Sequence, residues 1–120
     1  MFMSRPKKRK RICKIPDFKY FICGSGQGST VVLSYEEYEC IRLIDFEGLD
    51  QNECAVIMAV GRSTIQRLYG NARKIIAQSL VEGHRVKIEG GEYELCPYSK
   101  DTYWACNKNC IKESESTDLV

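Results

Sequence analysis

The sequence has a single histidine, no Cys-x-x-Cys motif and no apolar run longer than residues 55–60. A membrane helix needs about 20 consecutive apolar residues, so no membrane span is predicted. Basic residues near the N-terminus are not followed by an apolar segment, and we therefore expect no secretory signal. The one histidine, His84, leaves few routes to general acid–base catalysis, and nothing in the sequence places a cysteine beside it. We therefore expect that the protein is not an enzyme.

Cysteine, by contrast, is abundant, with seven in 120 residues. The odd count, and two cysteines that fall within helical patterns, argue against a disulfide framework, so a reducing cytoplasm is the expected location. Cys106 and Cys110 have a ligand-like spacing. Together with Cys96, and with Cys13 or Cys23, they would complete four thiolates for zinc. A redox pair and a set of unpaired thiols are the alternatives.

The net charge of +2 hides a strong asymmetry. Seven of the 18 basic residues precede Pro16 and no acidic residue does, which leaves 11 bases and 16 acids in the rest of the chain. Residues 34–53 hold seven acids and one base, whereas residues 55–81 hold four bases and no acid. Two basic regions in an acidic body indicate polyanion binding, although a solubilising arm would also explain the first.

Two capping boxes predict the first two helices. Ser34 with Glu37 begins a helix that runs to about residue 47 and is stopped by Gly48. Asp50 with Glu53 begins a shorter helix that runs to about residue 58.

A turn at residues 59–61 precedes a third helix, predicted over about residues 62–80 with a possible bend at Gly70. Its apolar residues recur at helical spacing and form one stripe for packing. The stripe consists of Ile65, Leu68, Tyr69, Ala72, Ile75, Ile76 and Leu80.

Alternating residues on both sides of Gly90–Gly91 are typical of a β-hairpin with a two-glycine turn. We expect this hairpin, at about residues 85–95, to pack as a wing or to complete a small sheet with an N-terminal strand. The predicted fold is mainly α with a small β element: a three-helix helix-turn-helix domain plus a C-terminal β-hairpin. This domain spans residues 17–96, between a basic arm (1–16) and a cysteine-containing, partly disordered tail (97–120).

These elements have the layout of a helix-turn-helix: a short second helix, a three-residue turn and a third helix with a polar first half. In a helix-turn-helix, this third helix reads the major groove of DNA. Arginine and glutamine pair with guanine and adenine edges, serine and threonine suit phosphate or thymine contacts, and the helix N-terminus favours a phosphate. The predicted DNA contacts on this helix are Arg62, Ser63, Thr64, Gln66 and Arg67, followed by Arg73 and Lys74 on phosphate or solvent. Those of the arm, on backbone or in a minor groove, are Lys8, Arg9, Lys10 and Arg11.

Residues 50–55 and 61–67 resemble the helix-turn-helix of sigma-factor region four. A longer set of motifs is similar to a prokaryotic family of predicted DNA-binding proteins, known only as domain of unknown function 134. These motifs are residues 31–49, 72–74, 80–83 and 88–96, together with the basic arm. The resemblance covers about residues 4–96 and implies a sequence-specific DNA-binding fold with no established target.

Two positions depart from the pattern of that family. Ala59 stands where the turn usually has glycine, and Gly61 stands where the third helix usually has a serine N-cap. A positive φ at Ala59 would cost about 1 kcal/mol, and glycine caps a helix nearly as well as serine. We therefore expect the motif to survive.

The sequence thus predicts a cytoplasmic DNA-binding protein that regulates transcription and binds double-stranded DNA, as a monomer or a homodimer. The first alternative is a sigma-like module that docks on the transcription machinery through its acidic first helix, and the second is a metal- or redox-sensing regulator. A plain three-helix bundle with solvated arginines is the structural alternative.

Overall fold

The computed structural model describes residues 9–22 and 28–95. In these ranges the chain forms β1 (Lys10–Ile12), β2 (Tyr20–Phe21), β3 (Thr30–Leu33), α1 (Tyr35–Ile41), α2 (Gln51–Met58), α3 (Arg62–Glu82), β4 (Arg85–Ile88) and β5 (Tyr93–Leu95). Helix α1 continues directly into a π-helical segment, Arg42–Phe46. The expected mainly α fold with a small β element is confirmed. None of the described helices is long and apolar enough to cross a membrane.

Both capping boxes form as the sequence predicts. The Ser34 side chain accepts a hydrogen bond from the backbone N–H of Glu37 at 3.1 Å, and the Glu37 carboxylate accepts from the N–H of Ser34 at 2.9 Å. Asp50 and Glu53 make the same reciprocal pair, at 2.8 and 3.0 Å. Two of the four unsatisfied N–H groups at each helix start are thereby paired, which fixes where α1 and α2 begin.

Helix α3 runs for 21 residues and ends at Gly83, which adopts the left-handed conformation (φ 72°). It is continuous through Gly70. Its inward face carries Ile65, Leu68 and Ala72 into the core. The expectation that Leu80 belongs to the packed stripe is wrong. The inward side of α3 continues through the buried Ser79, and Leu80, about 100° further round the helix, is 74% exposed.

The strands form two small sheets. In one, β4 is central: β3 pairs with it in parallel, with Leu33 opposite Ile88, and β2 pairs with its other edge in antiparallel fashion. In the other, β1 and β5 pair in parallel, with Lys10 opposite Tyr93. Each parallel pair needs a long connection, and the three helices supply it between β3 and β4.

The predicted hairpin between β4 and β5 is wrong. Both edges of β4 are already occupied by β2 and β3, so β5 cannot pair there. The turn is also held elsewhere, since the backbone N–H of Tyr35 donates to the carbonyl of Gly90 at 3.0 Å. Gly90 and Gly91 both have positive φ (77° and 111°), which redirects the chain towards β1. The two strands do pair with N-terminal strands, β4 with β2 and β5 with β1, but in separate sheets and not as a hairpin.

The first residues described form part of the folded domain. Ile12 and Cys13 are buried in the main core, which lies between β1 and the three helices. A second, smaller core lies under the β2–β4–β3 sheet, where Leu33 and Ile88 pack against Ala72. The basic arm predicted for residues 1–16 therefore merges with the domain from Lys10 onward.

A buried ion pair ties α1 to the segments around it. Glu39 is fully buried, and its two oxygens accept from Nε and Nη2 of Arg42 at 2.8 and 2.9 Å. The same carboxylate accepts from the backbone N–H of Cys13 at 2.8 Å, and Arg42 also contacts Glu47 at 3.1 Å. Because charged groups inside a protein need such partners, this network fixes β1 against α1.

Candidate nucleic-acid interface

The first two turns of α3 present a polar surface to solvent. Arg62, Ser63, Gln66 and Arg67 are all exposed, and Thr64 is half-buried. The intervening residues turn inward because they follow the apolar spacing of the helix: Ile65 and Leu68 are buried. Helix α2 packs against α3, and its own inward residues are Cys54, Ala55, Ile57 and Met58. The structure thus brings the predicted contacts of this helix together on one exposed surface.

The turn between α2 and α3 contains both residues that depart from the family pattern, Ala59 and Gly61. Ala59 adopts the left-handed conformation (φ 58°, ψ 44°), and its N–H donates to the carbonyl groups of Ala55 and Val56 in α2. Gly61 is the N-cap of α3 and has no side chain to accept from the first turn. The Thr64 N–H donates to the Gly61 carbonyl at 3.2 Å, and the positive end of the helix dipole at this exposed terminus favours an anion.

A cleft of about 600 Å³ lies beside this helix end. It is lined by Lys10, Glu36, Val60, Gly61, Thr64, Arg67, Gly91 and Glu92. Lys10 Nζ lies 3.5 Å from Glu36 Oε2, with side-chain exposures of only 10% and 7%. The backbone N–H of Glu92 donates to the same oxygen at 3.3 Å.

The pairing of Lys10 with Glu36 affects which residues of the basic arm are accessible to DNA. Lys10 is buried and its ammonium group is paired with Glu36, so its charge is less accessible than that of an exposed arm residue; its contact with DNA stays a prediction. Arg11 is half-buried and Arg9 is exposed at the end of the described chain. Lys8 lies outside the described residues. Sequence reasoning missed Glu36 as a partner because the two residues are 26 positions apart and no motif links them.

Arg73 and Lys74, one and a half to two turns beyond Arg67, are also exposed. Arg73 Nε lies 3.8 Å from Asp45 Oδ2, and its guanidinium sits 5.3 Å from the centre of the Tyr69 ring. The Tyr69 hydroxyl donates to Asp45 at 2.7 Å. Partial burial and this hydrogen bond raise the pKa of Tyr69 above its usual value. Arg73 is thus held on the protein surface by Asp45 and Tyr69.

The described cysteines are buried thiols. The Sγ atom of Cys40 lies 3.8 Å from Met58 Sδ, and that of Cys54 lies 3.7 Å from the same atom. The contact of Cys40 with Cys54, together with burial, raises the pKa of Cys40 far above its usual value. Cys13, the predicted zinc ligand, is buried beside them. Among the described residues no group of three or more histidine, cysteine or acidic side chains could hold a metal. The other candidate ligands, Cys23, Cys96, Cys106 and Cys110, lie outside the described residues.

Comparison with known proteins identifies the family. Residues 1–96 match the family described as "Protein of unknown function DUF134", and the chain belongs to this family. A UPF0251 protein of Desulfitobacterium hafniense (strain Y51) is 42% identical over 113 residues, which cover 92% of this chain and 88% of the relative. A UPF0251 protein of Caldicellulosiruptor saccharolyticus is 43% identical over 94% of this chain and 79% of its own length. One of Clostridium tetani is 42% identical over 98% and 93%. No solved structure matches.

Proposed function

We propose that this protein is a sequence-specific DNA-binding regulator of transcription that inserts the first half of α3 into the major groove. The observation that carries the proposal is the exposed, acid-free polar surface at the start of α3, held in place by the buried contacts of Ile65 and Leu68 with α2. An α-helix fits the major groove of B-DNA, and such a helix needs a rigid brace behind it.

The side chains of this surface differ in their proposed roles. Arg62, Gln66 and Arg67 are exposed, long and able to make paired hydrogen bonds, so they are the candidates for reading base edges. Ser63 and Thr64 lie in the first turn, at the positive end of the helix dipole, and would contact a backbone phosphate. Lys74 is exposed farther along the helix, outside this surface, and Arg9 and Arg11 would contact the DNA backbone near the start of α3.

The competing hypothesis of a protein-docking module has less support. It relies on the acidic first helix, but Glu36 and Glu39 are buried and paired. Asp45 and Glu47 are engaged by Arg73 and Arg42. Few carboxylates of this region are therefore available to a partner. A metal- or redox-sensing role depends on cysteines beyond the described residues and stays a prediction.

The test is selection of binding sites from a random duplex pool, followed by titration of the enriched site and a scrambled duplex at several salt concentrations. We expect Arg67→Ala to weaken binding to the enriched site by about 1–3 kcal/mol and to leave binding to the scrambled duplex much less affected. Lys87→Ala is the matched control, because it removes one exposed positive charge from β4, outside both the first two turns of α3 and the cleft beside them. No enriched sequence, together with retention of polymerase by the immobilised protein, would instead favour the docking module.

A further inference from the structure

The last two turns of α3 carry an apolar surface that the fold leaves uncovered. Leu80 is 74% exposed and Val81 is 85% exposed, beside the exposed Ala77. A shallow groove of about 580 Å³ runs along this surface, between α1 and α3. It is lined by Ile41, Asp45, Arg73, Lys74, Ile76, Ala77 and Leu80. Exposed apolar clusters on a small domain mark places where another molecule binds.

We propose that this surface binds the same surface of a second copy, so that the two α3 helices cross antiparallel near Ala77. The inference rests on the proposed function, since it supplies the dimer that a symmetric DNA site would require. A twofold interface must be self-complementary. Around Ala77, antiparallel pairing places Leu80 of one copy opposite Lys74 of the other, with Val81 opposite Arg73.

The charges of the helix suit this orientation. The last turn of α3 contains Glu82 and no basic residue, so the negative end of its dipole has no cation on its own helix. Antiparallel pairing brings the exposed Lys74 of the partner to that turn, whereas Arg73 stays with Asp45 and Tyr69 of its own copy. The aliphatic stem of Lys74 would cover Leu80 while its charged end meets the helix terminus. A parallel arrangement would instead place the like charges of the two copies side by side.

Dimerisation leaves the DNA-binding surface free because the two helices overlap only at their C-terminal ends. Antiparallel pairing about Ala77 places Glu82 of one copy opposite Ala72 of the other, so the overlap ends at Ala72. Arg62, Gln66 and Arg67 lie at least five residues, or about 7.5 Å, beyond that point. Both copies therefore keep the first two turns of α3 accessible.

The length of α3 gives a quantitative check. At 1.5 Å per residue, crossing at Ala77 would place the two Gln66 residues about 33 Å apart, and the midpoints of the two 62–67 segments roughly 37 Å apart. Successive major grooves on one side of B-DNA are about 34–36 Å apart. The two distances calculated for the dimer, about 33 Å and roughly 37 Å, lie just below and just above this groove spacing.

The experiment is sedimentation equilibrium of the full chain without DNA, for wild type, Leu80→Glu and Phe18→Glu. Both substituted residues are exposed (74% and 77%), so folding is preserved in each, and circular dichroism verifies it. We expect a dimer for wild type and Phe18→Glu, and a dissociation constant raised at least about ten-fold for Leu80→Glu, equivalent to ~1.4 kcal/mol. A wild-type monomer, or unchanged association of Leu80→Glu, would overturn the proposal.

Site selection provides an independent measurement. The dimer predicts a palindromic site whose half-sites are about 10–10.5 bp apart, and Leu80→Glu should bind one half-site with unchanged sequence preference but lose the gain from the second. Sequence-specific binding by a monomer would refute the dimer and leave the proposed function standing. A dimer that lacks sequence preference would support the interface and refute the proposed function.

Discussion

Replacing Glu39 with glutamine should cost more stability than its small chemical change suggests. Its carboxylate accepts from two nitrogens of Arg42 and from the backbone N–H of Cys13, all at 2.8–2.9 Å and all within the core. Glutamine keeps the shape but replaces one oxygen with an NH₂ group that faces these donors. It also leaves the charge of Arg42 buried, with Glu47 as the remaining acidic partner seen in this network.

The expected loss is about 3–5 kcal/mol, the usual cost of breaking a buried ion pair from one side. A domain of this size has a free energy of unfolding of roughly 4–12 kcal/mol, so the loss is a large part of the total. Urea unfolding followed by helical circular dichroism measures it, and the midpoint should fall by at least about 2 M. The slope of the transition should not change.

Two further variants separate this reasoning from a general sensitivity to substitution. Glu47→Gln removes the more exposed contact of the same arginine and should cost less than about 1 kcal/mol. Replacing both charges, in Glu39→Leu with Arg42→Met, should be less destabilising than Glu39→Gln, because neither variant residue leaves a buried charge. If Glu39→Gln remains within about 1 kcal/mol of wild type, the network does not hold β1 against α1 as described.

Three other substitutions test the backbone and one test concerns the thiols. Gly91→Ala should destabilise the protein by more than 2 kcal/mol (~2–4), because a Cβ there would overlap the Glu36 carboxylate and because φ is +111°; urea unfolding measures it. Ala59→Gly should stabilise by about 1 kcal/mol, since Ala59 has φ 58°. Gly70→Ala, with open space at its Cβ in the middle of α3, should stabilise by about 0.5–1 kcal/mol. Cys40 should react with iodoacetamide only as fast as the protein unfolds, as peptide mass spectrometry would show, because burial and its neighbour raise its pKa. Rapid labelling of the folded protein would contradict that burial.

The helices were predictable because their signals are local. Ser34 with Glu37, and Asp50 with Glu53, define helix starts within four residues of sequence, and the structure forms both capping boxes. The left-handed turn is different: alanine disfavours this conformation, yet Ala59 adopts φ 58°, so the turn does not follow from its local residue preference.

The strand pairings and the charge partners were not predictable in the same way. Residues 85–95 contain every local feature of a hairpin, but the edges of β4 are taken by strands from far along the chain. The pairing of Lys10 with Glu36 and the exposure of Leu80 likewise depend on where distant elements pack. A helical stripe shows which residues lie near one face, but it does not show how wide a face the neighbouring elements cover: Ser79 is buried and Leu80, next to it, is exposed.

The parallel pairing of β1 with β5 has a consequence for how the chain folds. Lys10 lies opposite Tyr93, so this sheet can form only after a loop of more than 80 residues has closed. Closing such a loop is entropically costly, whereas α1, α2 and α3 pack against one another within residues 35–82 and so close shorter loops. The helices should therefore assemble first, and β1 should join last. A nascent chain released before β5 is synthesised would leave Ile12 and its neighbours without their cover, and so exposed to association with other chains.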